Sequence, residues 1–285
     1  MPEIFAPALQ KMAETGSAIY GPEPFQEYLA NNSGSAAKTA ASISVQAVAD
    51  LKSELKAAET MVLRLGQAPE STHTQFALVR TFHGWSDYFF VDKEIFSDCT
   101  PEAFVPETPV VELFPFFLLP SFVEMSLVNL AVASGLFGHA LGLDSNNLAS
   151  APATGQSTYS FRFRPHRELE DQFEHRNGQV EIDALIVGKR NDKPVVFVVE
   201  AKSSKDFDSL AKHKLLYAVL AMRSKLPPYM PVVPVYLRVI ETQRDLKFYV
   251  AECGQVDSKN PILNELEATT QRQIVLTKLE MPDRV

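Results

Sequence analysis

Short apolar runs separated by charged or glycine-containing turns dominate the second half of the chain. Five of them predict β-strands, because each is a run or alternation of β-branched and aromatic residues: TYSFRFR, QVEIDALIVG, PVVFVVEAK, VVPVYLRVI and LKFYVAEC. Helical spacing of apolar residues predicts helices over residues 121–141 and 207–226. The resulting order α, β, β, β, α, β, β predicts an α/β fold with a mixed central sheet flanked by helices.

The first half of the chain has a different pattern. A polar stretch of small residues, NNSGSAAKTAAS, predicts a loop or linker. Residues 45–66 have helical spacing and end on Gly66, which predicts a helix with a glycine cap. The runs TQFALVRTF and SDYFFVD predict a strand pair around His83 and Gly84; His83 and Trp85 show no partner in the sequence and are interpreted as structural.

These patterns divide the chain into three predicted regions. Residues 1–115 form an N-terminal α+β accessory region of unknown role, and residues 116–253 form the domain with the five strands. Residues 254–285 form a tail that packs on the core, with a short helix and a strand.

Composition narrows the class of protein. A hydrophobic content of 46% with 22% charged residues is typical of a globular chain, and the net charge of −8 argues against coating nucleic acid through general electrostatics. Cys99 and Cys253 have no CxxC or CxxH spacing, so we expect neither a zinc site nor a disulfide framework. No apolar run is long enough to span a bilayer, and we expect a soluble cytoplasmic protein with no membrane partner.

The segment GKRNDKP joins two of the predicted strands and fixes their register. A two-residue turn at Asn191 and Asp192 would place Arg190 opposite Lys193 in an antiparallel hairpin. Counting back along both strands then pairs residues whose numbers sum to 383.

On this register Asp183 lies opposite Glu200, and Glu200 shares a face of its strand with Lys202. Like charges in this relation repel, so we expect compensation by Lys202, by a nearby arginine or by a divalent cation. Carboxylate oxygens suit Mg²⁺, which polarises phosphoryl oxygens and activates water. Lys202 could then orient the attacking water or help to deprotonate it, and offset charge in the transition state.

The sequence contains Asp183, then sixteen intervening residues, then Glu200-Ala201-Lys202 at the end of an apolar strand that precedes a helix. This pattern resembles the motif of the PD-(D/E)xK superfamily of restriction-endonuclease-like nucleases. The resemblance implies a metal held by Asp183, Glu200 and the backbone carbonyl of Ala201, with Mg²⁺ or Mn²⁺ as the ion and DNA as the substrate. Many members carry a glutamate on the helix before the first core strand, and Glu124 is the matching residue. The motif's proline is replaced by Ile182.

Several side chains near the motif have a second interpretation. Ser121 and Glu124 have the spacing of a capping box, which would make Glu124 part of a helix start. Glu181 is either a further metal ligand or an exposed residue. The candidates for contact with nucleic acid are Arg162, Arg164, Arg167, His213, Lys214 and Tyr217. A role in solubility explains the three arginines equally well. His213 and Lys214 could instead lie on an exposed helix face, and Tyr217 could be a core residue.

Three hypotheses for function remain. The first is a metal-dependent nuclease that hydrolyses DNA phosphodiester bonds, an endonuclease in restriction or defence, for which a homodimer is an open alternative because both strands must be cut. The second is a catalytically inactive module of the same fold that binds nucleic acid or a protein. The third is a structural interaction domain in which the acids and the lysine form an ion-pair network.

Overall fold

The computed structural model describes residues 3–32, 37–118, 121–144 and 151–278. Its helices are α1 (Ala6–Thr15), α2 (Phe25–Asn32), α3 (Thr39–Ile43), α4 (Ser53–Ala57), α5 (Asp92–Ile95), α6 (Val110–Phe117), α7 (Glu124–Ala133), α8 (Leu136–Ala140) and α9 (Lys212–Arg223). Its strands are β1 (Ile19–Pro24), β2 (Thr60–Gln67), β3 (Thr74–Arg80), β4 (Phe89–Val91), β5 (Pro101–Phe104), β6 (Ala153–Phe163), β7 (Phe173–Arg190), β8 (Lys193–Ser204), β9 (Ser209–Ala211), β10 (Val232–Glu241), β11 (Asp245–Cys253) and β12 (Ala268–Thr277).

The central element is a mixed seven-stranded sheet in the order β5-β12-β11-β10-β8-β7-β6. Within it β8 runs parallel to β10 and β5 parallel to β12, whereas the other neighbours are antiparallel. The predicted fold class, a mixed sheet flanked by helices, is therefore confirmed. Strands from all three predicted regions share this sheet, since β5 comes from the first and β12 from the tail.

Two hydrophobic cores lie on opposite faces of the sheet. On β8, Val198 belongs to the core that contains α9 and the three-stranded sheet β1-β3-β2. Its neighbours Phe197 and Val199 belong to the core that contains α7 and α8. This alternation is the period of two that a strand imposes on its side chains. It explains why β8 is apolar without interruption from Val195 to Val199: both faces are buried.

The predicted hairpin is confirmed. Asn191 and Asp192 form its two-residue turn, both with positive φ (52° and 62°), and Arg190 pairs with Lys193. The same register continues as far as Ala184, which pairs with Val199. Side-chain oxygens of Asp144 accept hydrogen bonds from both turn N–H groups (3.1 and 2.9 Å), which holds the turn against the segment after α8.

The predicted continuous helix over residues 45–66 is wrong. Its first half contains only a short 3₁₀ helix (Val48–Asp50) and α4, and residues 60–66 belong to β2. β2 pairs with β3 and packs against β7, and six of its eight residues are buried. A continuous apolar run does not by itself separate a buried strand from a buried helix. Gly66 is therefore a residue inside a strand, and glycine is required there because the backbone of β7 passes very close to it.

Other boundaries also differ from the prediction. The helix expected over residues 121–141 breaks into α7 and α8 at Gly135, whose φ of 81° a helix does not permit. The helix expected from residue 207 begins at Lys212, because the preceding residues form β9. β4 pairs with β9 and not with β3, so the strand pair expected around His83 is wrong. The tail supplies β12, but residues 254–278 contain no helix.

None of the helices in the described part of the chain has the length and apolar character needed to cross a membrane.

Candidate active site

A β-bulge in β7 positions Asp183. Gly155 of β6 pairs with Ile182 and Ala153 pairs with Leu185, so two residues of β7, Asp183 and Ala184, lie opposite one residue of β6. Residues two apart on a regular strand share a face of the sheet, but the bulge places Ile182 and Ala184 on opposite faces. Ile182 belongs to the core with α9, and Ala184 belongs to the core with α7. Bulges redirect side chains in this way and are frequent beside active sites.

The hairpin ladder ends immediately before the acids. The last pair of β7 and β8 is Ala184 with Val199, and beyond it the N–H of Ala201 donates to the side chain of Asp183 (Oδ2, 3.0 Å). This hydrogen bond fixes the carboxylate of Asp183 across the point where the two strands part. Asp183 and Glu200 thus lie one residue beyond the last pair of the hairpin, and the pair predicted between them is not part of the ladder.

Lys202 brings the acids together. Its Nζ lies 3.1 Å from Glu200 Oε1, 3.4 Å from Glu124 Oε2 and 3.8 Å from Asp183 Oδ2. We call these four residues, Asp183, Glu200, Lys202 and Glu124, the carboxylate–lysine site. Its three acids come from β7, β8 and α7, and each is within ion-pair distance of the one ammonium group.

Glu124 reaches the site from the first residue of α7. Its Oε1 accepts the N–H of Ser203 (3.3 Å), in addition to the contact of its Oε2 with Lys202. The capping-box interpretation is wrong, because the N-cap is Val123 and no side chain caps the helix. The contacts of Glu124 therefore belong to the site.

Burial sets the protonation of Glu200. Its side chain is only 3% exposed, and this burial, followed by the negative charge of Asp183, raises the pKa of Glu200 above its ordinary value. The positive charges of Lys214 and Lys202 offset part of this shift. The site thus favours the protonated form of Glu200 more than water does.

The pKa of Lys202 is raised as well, which for a lysine favours the charged form. Burial on its own lowers the pKa of Lys202, but the charges of Glu200, Asp183 and Glu124 outweigh burial and raise it. Lys202 is therefore an ammonium ion at neutral pH. With one lysine against three carboxylates, the fully ionised site would carry a net charge of −2.

The site fits a hard divalent cation by the chemistry of its donors. Carboxylate oxygens are the ligands that Mg²⁺ and Mn²⁺ prefer, and three of them converge on one ammonium position. A divalent ion would also neutralise the excess of two negative charges. The residues that would hold it are Asp183, Glu200 and Glu124, with the backbone of Ala201 between them.

The three predicted DNA-binding arginines occupy different surroundings. Arg162 is exposed on β6 and lies 3.8 Å from Glu174. Arg164 is largely buried and donates to the backbone carbonyls of Leu169 and Arg167, so its guanidinium is used in holding a turn. The side chain of Arg167 is exposed and lines a cavity with Lys212 that does not include the carboxylate–lysine site.

The three candidates for nucleic-acid contact on α9 also differ in burial and in their relation to the site. Lys214 acts on Glu200 through its charge and lines a cavity of about 190 Å³ with Glu181, which is exposed. His213 is buried, and burial, followed by the charges of Lys214 and His175, lowers its pKa to about 3. Tyr217 is buried too, and its hydroxyl donates to the carbonyl of Arg64 (3.3 Å). Lys214 is thus the α9 residue whose charge reaches the acids.

The N-terminal region supplies one wall of a second cavity, of about 480 Å³, beside Lys202. The other wall is formed by β8, β9 and β10 through residues that include Ser203, Ser204 and Arg238. The N-terminal wall comes from a segment around Gln46, whose carbonyl accepts the N–H of Ala211 at the start of α9. The accessory region is therefore in contact with the surroundings of the carboxylate–lysine site.

One cluster was missed in the sequence. His83, Asp87 and His166 bring three potential ligand atoms within 4.8 Å of one another. The spacing of His83 and Asp87, four residues apart, is visible in the sequence, but His166 is about eighty residues away and no local pattern links it to them.

Comparison with known proteins places the chain in a family. The family model described as "Domain of unknown function (DUF6997)" matches residues 116–271. The chain belongs to the DUF6997 family. The matched DUF6997 region contains all four residues of the carboxylate–lysine site and ends within β12. No curated protein matches the chain.

The raised pKa of Glu200 gives the DUF6997 chain a pH-dependent stability. The protonated form of Glu200 contributes stability that is complete below the unfolded-state pKa of about 4.3 and is lost as the pH rises through the higher folded-state pKa. Glu200→Gln, which cannot ionise, is expected to keep this stability. In the presence of a chelator at pH 8, the Tm of Glu200→Gln should exceed that of the wild type by a few degrees, since each kcal/mol in the free energy of unfolding changes Tm by roughly 2–4 °C. The difference in Tm should shrink towards pH 4.

Scanning calorimetry at several pH values measures this difference. Glu181→Gln on the adjacent strand β7 is the control for loss of a glutamate charge, since Glu181 is exposed. A difference between Glu200→Gln and wild type that does not change with pH would contradict the account of Glu200.

Proposed function

We propose that the chain is a Mg²⁺- or Mn²⁺-dependent nuclease that hydrolyses phosphodiester bonds in DNA. The observation that carries the proposal is the convergence of Asp183, Glu200 and Glu124 on Lys202 at the open end of the β7–β8 hairpin. An endonuclease acting in the cytoplasm, in restriction or another defence process, is the form that the motif's resemblance favours. The same resemblance leaves a homodimer as an alternative to a monomer.

The excess of negative charge supports a catalytic interpretation over a structural one. A buried ion-pair network is stable when its charges balance and its hydrogen bonds are satisfied. Here three acids face one lysine, and burial, followed by the charge of Asp183, raises the pKa of Glu200. Strongly perturbed groups that cluster in this way are typical of functional sites.

Each residue has a role that follows from its position. When bound, a divalent cation would polarise the phosphoryl oxygen and activate water. Asp183 and Glu200 would hold it from the rigid hairpin, and Glu124 would complete the carboxylate set from α7. Because Lys202 is an ammonium ion, it acts as a donor that orients water and offsets developing charge, and not as a base in that protonation state.

Two cavities near these groups support the proposal of a phosphate-bearing substrate. The cavity beside Lys202 is lined by the hydroxyl side chains of Ser203 and Ser204, and the smaller cavity by Lys214. Hydroxyl and ammonium groups are common phosphate contacts. With a net charge of −8 on the whole chain, binding should be local and sensitive to salt.

Metal binding and DNA cleavage test the proposal together. Mg²⁺ or Mn²⁺ is titrated calorimetrically into the wild type and into Asp183→Ala, and each protein is then incubated with supercoiled plasmid. The wild type is expected to bind metal and to nick or linearise the plasmid, and a chelator should stop cleavage. Asp183→Ala is expected to lose both the heat of binding and the cleavage.

The other two hypotheses give different results. A binding module would retain plasmid in a gel-shift assay without cutting it, and a structural ion-pair network would neither bind metal nor cut. Absence of metal binding by the wild type would overturn the catalytic proposal. Glu252→Ala, which removes a carboxylate paired with Arg190 outside the site, controls for loss of an acidic side chain.

A further inference from the structure

A buried histidine lies beside a carboxylate without making a hydrogen bond to it. His166 has no exposed surface, and its Nε2 has no hydrogen-bond partner in the described part of the chain. Nε2 nevertheless lies 3.4 Å from Asp87 Oδ1, which is longer than an N–H···O hydrogen bond normally is. A buried nitrogen in this position requires an explanation.

His83 approaches the same oxygen of Asp87. Its Nδ1 also lies 3.4 Å from Asp87 Oδ1, and its ring is more than half exposed. The second carboxylate oxygen of Asp87 accepts the N–H groups of Phe82 (2.6 Å) and His83 (2.9 Å), so the backbone holds the carboxylate in place. Phe82 stacks on the ring of His166 with centroids 4.4 Å apart, which fixes the orientation of that ring.

The spacing of these atoms matches a metal site better than a hydrogen bond. A tetrahedral zinc ion with ligand bonds of about 2.0–2.1 Å places its donor atoms roughly 3.3–3.4 Å apart. Two of the three separations here are 3.4 Å, and all three donors lie within 4.8 Å of one another. Two imidazoles and a carboxylate are also a donor set suited to zinc and unlike the all-oxygen set that Mg²⁺ prefers.

We propose that His83, Asp87 and His166 form a zinc site that is separate from the carboxylate–lysine site. Three protein ligands leave a fourth position for water, and His83 and Asp87 line a cavity of about 380 Å³. The proposed zinc site contains no cysteine. The proposal does not depend on the proposed nuclease function.

The position of the proposed zinc site means that zinc would stabilise the fold. His83 and Asp87 lie between β3 and β4 in the N-terminal region, whereas His166 follows β6, the edge strand of the large sheet. One ion would therefore connect two segments that are about eighty residues apart in the chain. Ligands distant in sequence make the folded chain bind zinc more tightly than the unfolded chain, so zinc stabilises the fold.

Zinc binding also requires one local change. In the structure the N–H of Glu168 donates to His166 Nδ1 (3.1 Å), which places the ring proton on Nε2. Ligation through Nε2 moves that proton to Nδ1, and the N–H of Glu168 must then turn away. Glu168 is exposed, so this turn can adjust.

Zinc titration in the Asp183→Ala background tests the site without competition from the carboxylate–lysine site. The full chain is expected to bind one Zn²⁺, to give the visible absorption of tetrahedral Co²⁺ when cobalt is used, and to show a higher Tm with zinc. His83→Ala is expected to weaken zinc binding at least about 100-fold, more than loss of an outer hydrogen-bond partner would. Because His83 is exposed, this variant should fold even if His166→Ala does not.

Two surface histidines provide matched controls. His73 pairs with Glu27 and His139 with Glu102, but neither pair has a third ligand in the described residues. His73→Ala and His139→Ala should bind zinc as the parent does. Absence of stoichiometric zinc, or equal affinity in His83→Ala and His139→Ala, would overturn the proposal.

The amide of Glu168 provides a second readout in the same background. Saturation with zinc is expected to shift its NMR resonance and to speed its hydrogen exchange, because the N–H loses its acceptor. A resonance that does not move at saturating zinc would mean that His166 is not a ligand.

Discussion

Lys202→Met should lower the rate of plasmid cleavage by about 10²–10³-fold, the usual effect of removing one group that stabilises the transition state. Metal binding, in contrast, should persist and tighten. The ammonium of Lys202 lies 3.1–3.8 Å from the three carboxylates and competes with a cation for them. Methionine fills a similar volume without the charge, so Asp183, Glu200 and Glu124 remain available to metal.

Rates measured at saturating Mg²⁺, together with calorimetric metal affinity, separate these two effects. Lys189→Met is the matched control, because Lys189 is an exposed lysine on the adjacent strand β7. A structural ion-pair network predicts a different outcome: Lys202→Met would lower Tm, and there would be no cleavage to lose. A variant that cuts as fast as wild type would exclude Lys202 from the reaction.

The hairpin was the most predictable part of the site. Its turn residues, its antiparallel register and the apolar strand β8 are local features, and the turn at Asn191 and Asp192 determines every pair that follows. Asp183, Glu200 and Lys202 could therefore be placed together from the sequence. Their mutual distances and the raised pKa of Glu200 depend on burial by distant elements, which a local pattern does not contain.

Glu124 and the bulge show where local reasoning fails. The spacing of Ser121 and Glu124 matched a capping box, but α7 begins at Glu124 itself, and the carboxylate instead contacts β8. The bulge at Asp183 arises from pairing with β6. Both features are set by tertiary contacts, and the sequence motifs near them are too short to specify those contacts.

The misassigned helix over residues 45–66 has the same origin. The apolar run of β2 contains Gly66, and a glycine after a helical pattern predicts a cap. In the structure this glycine is needed because β2 crosses β7 at very short range. The absence of a side chain at residue 66 is thus a packing requirement.

Gly66→Ala should destabilise the protein severely. A Cβ atom at residue 66 would lie 1.8 Å from the carbonyl oxygen of Arg176 and 2.7 Å from the backbone nitrogen of Gly178. Backbone atoms of a central strand cannot move aside as a flexible side chain can. We expect a loss of about 3 kcal/mol or more in the free energy of unfolding, at the upper end of the cost of overpacking. Urea denaturation measures it.

Gly155→Ala distinguishes this clash from a general cost of replacing glycine. Gly155 lies in β6, and a Cβ there would meet no atom within 4 Å. Alanine should therefore be neutral or stabilise the strand by up to about 1 kcal/mol, because glycine loses more backbone entropy on folding. Since Arg176 and Gly178 lie on the strand that carries Asp183, any Gly66→Ala protein that folds should also cut plasmid more slowly. Equal stability of the two variants would show that β2 does not approach β7 as described.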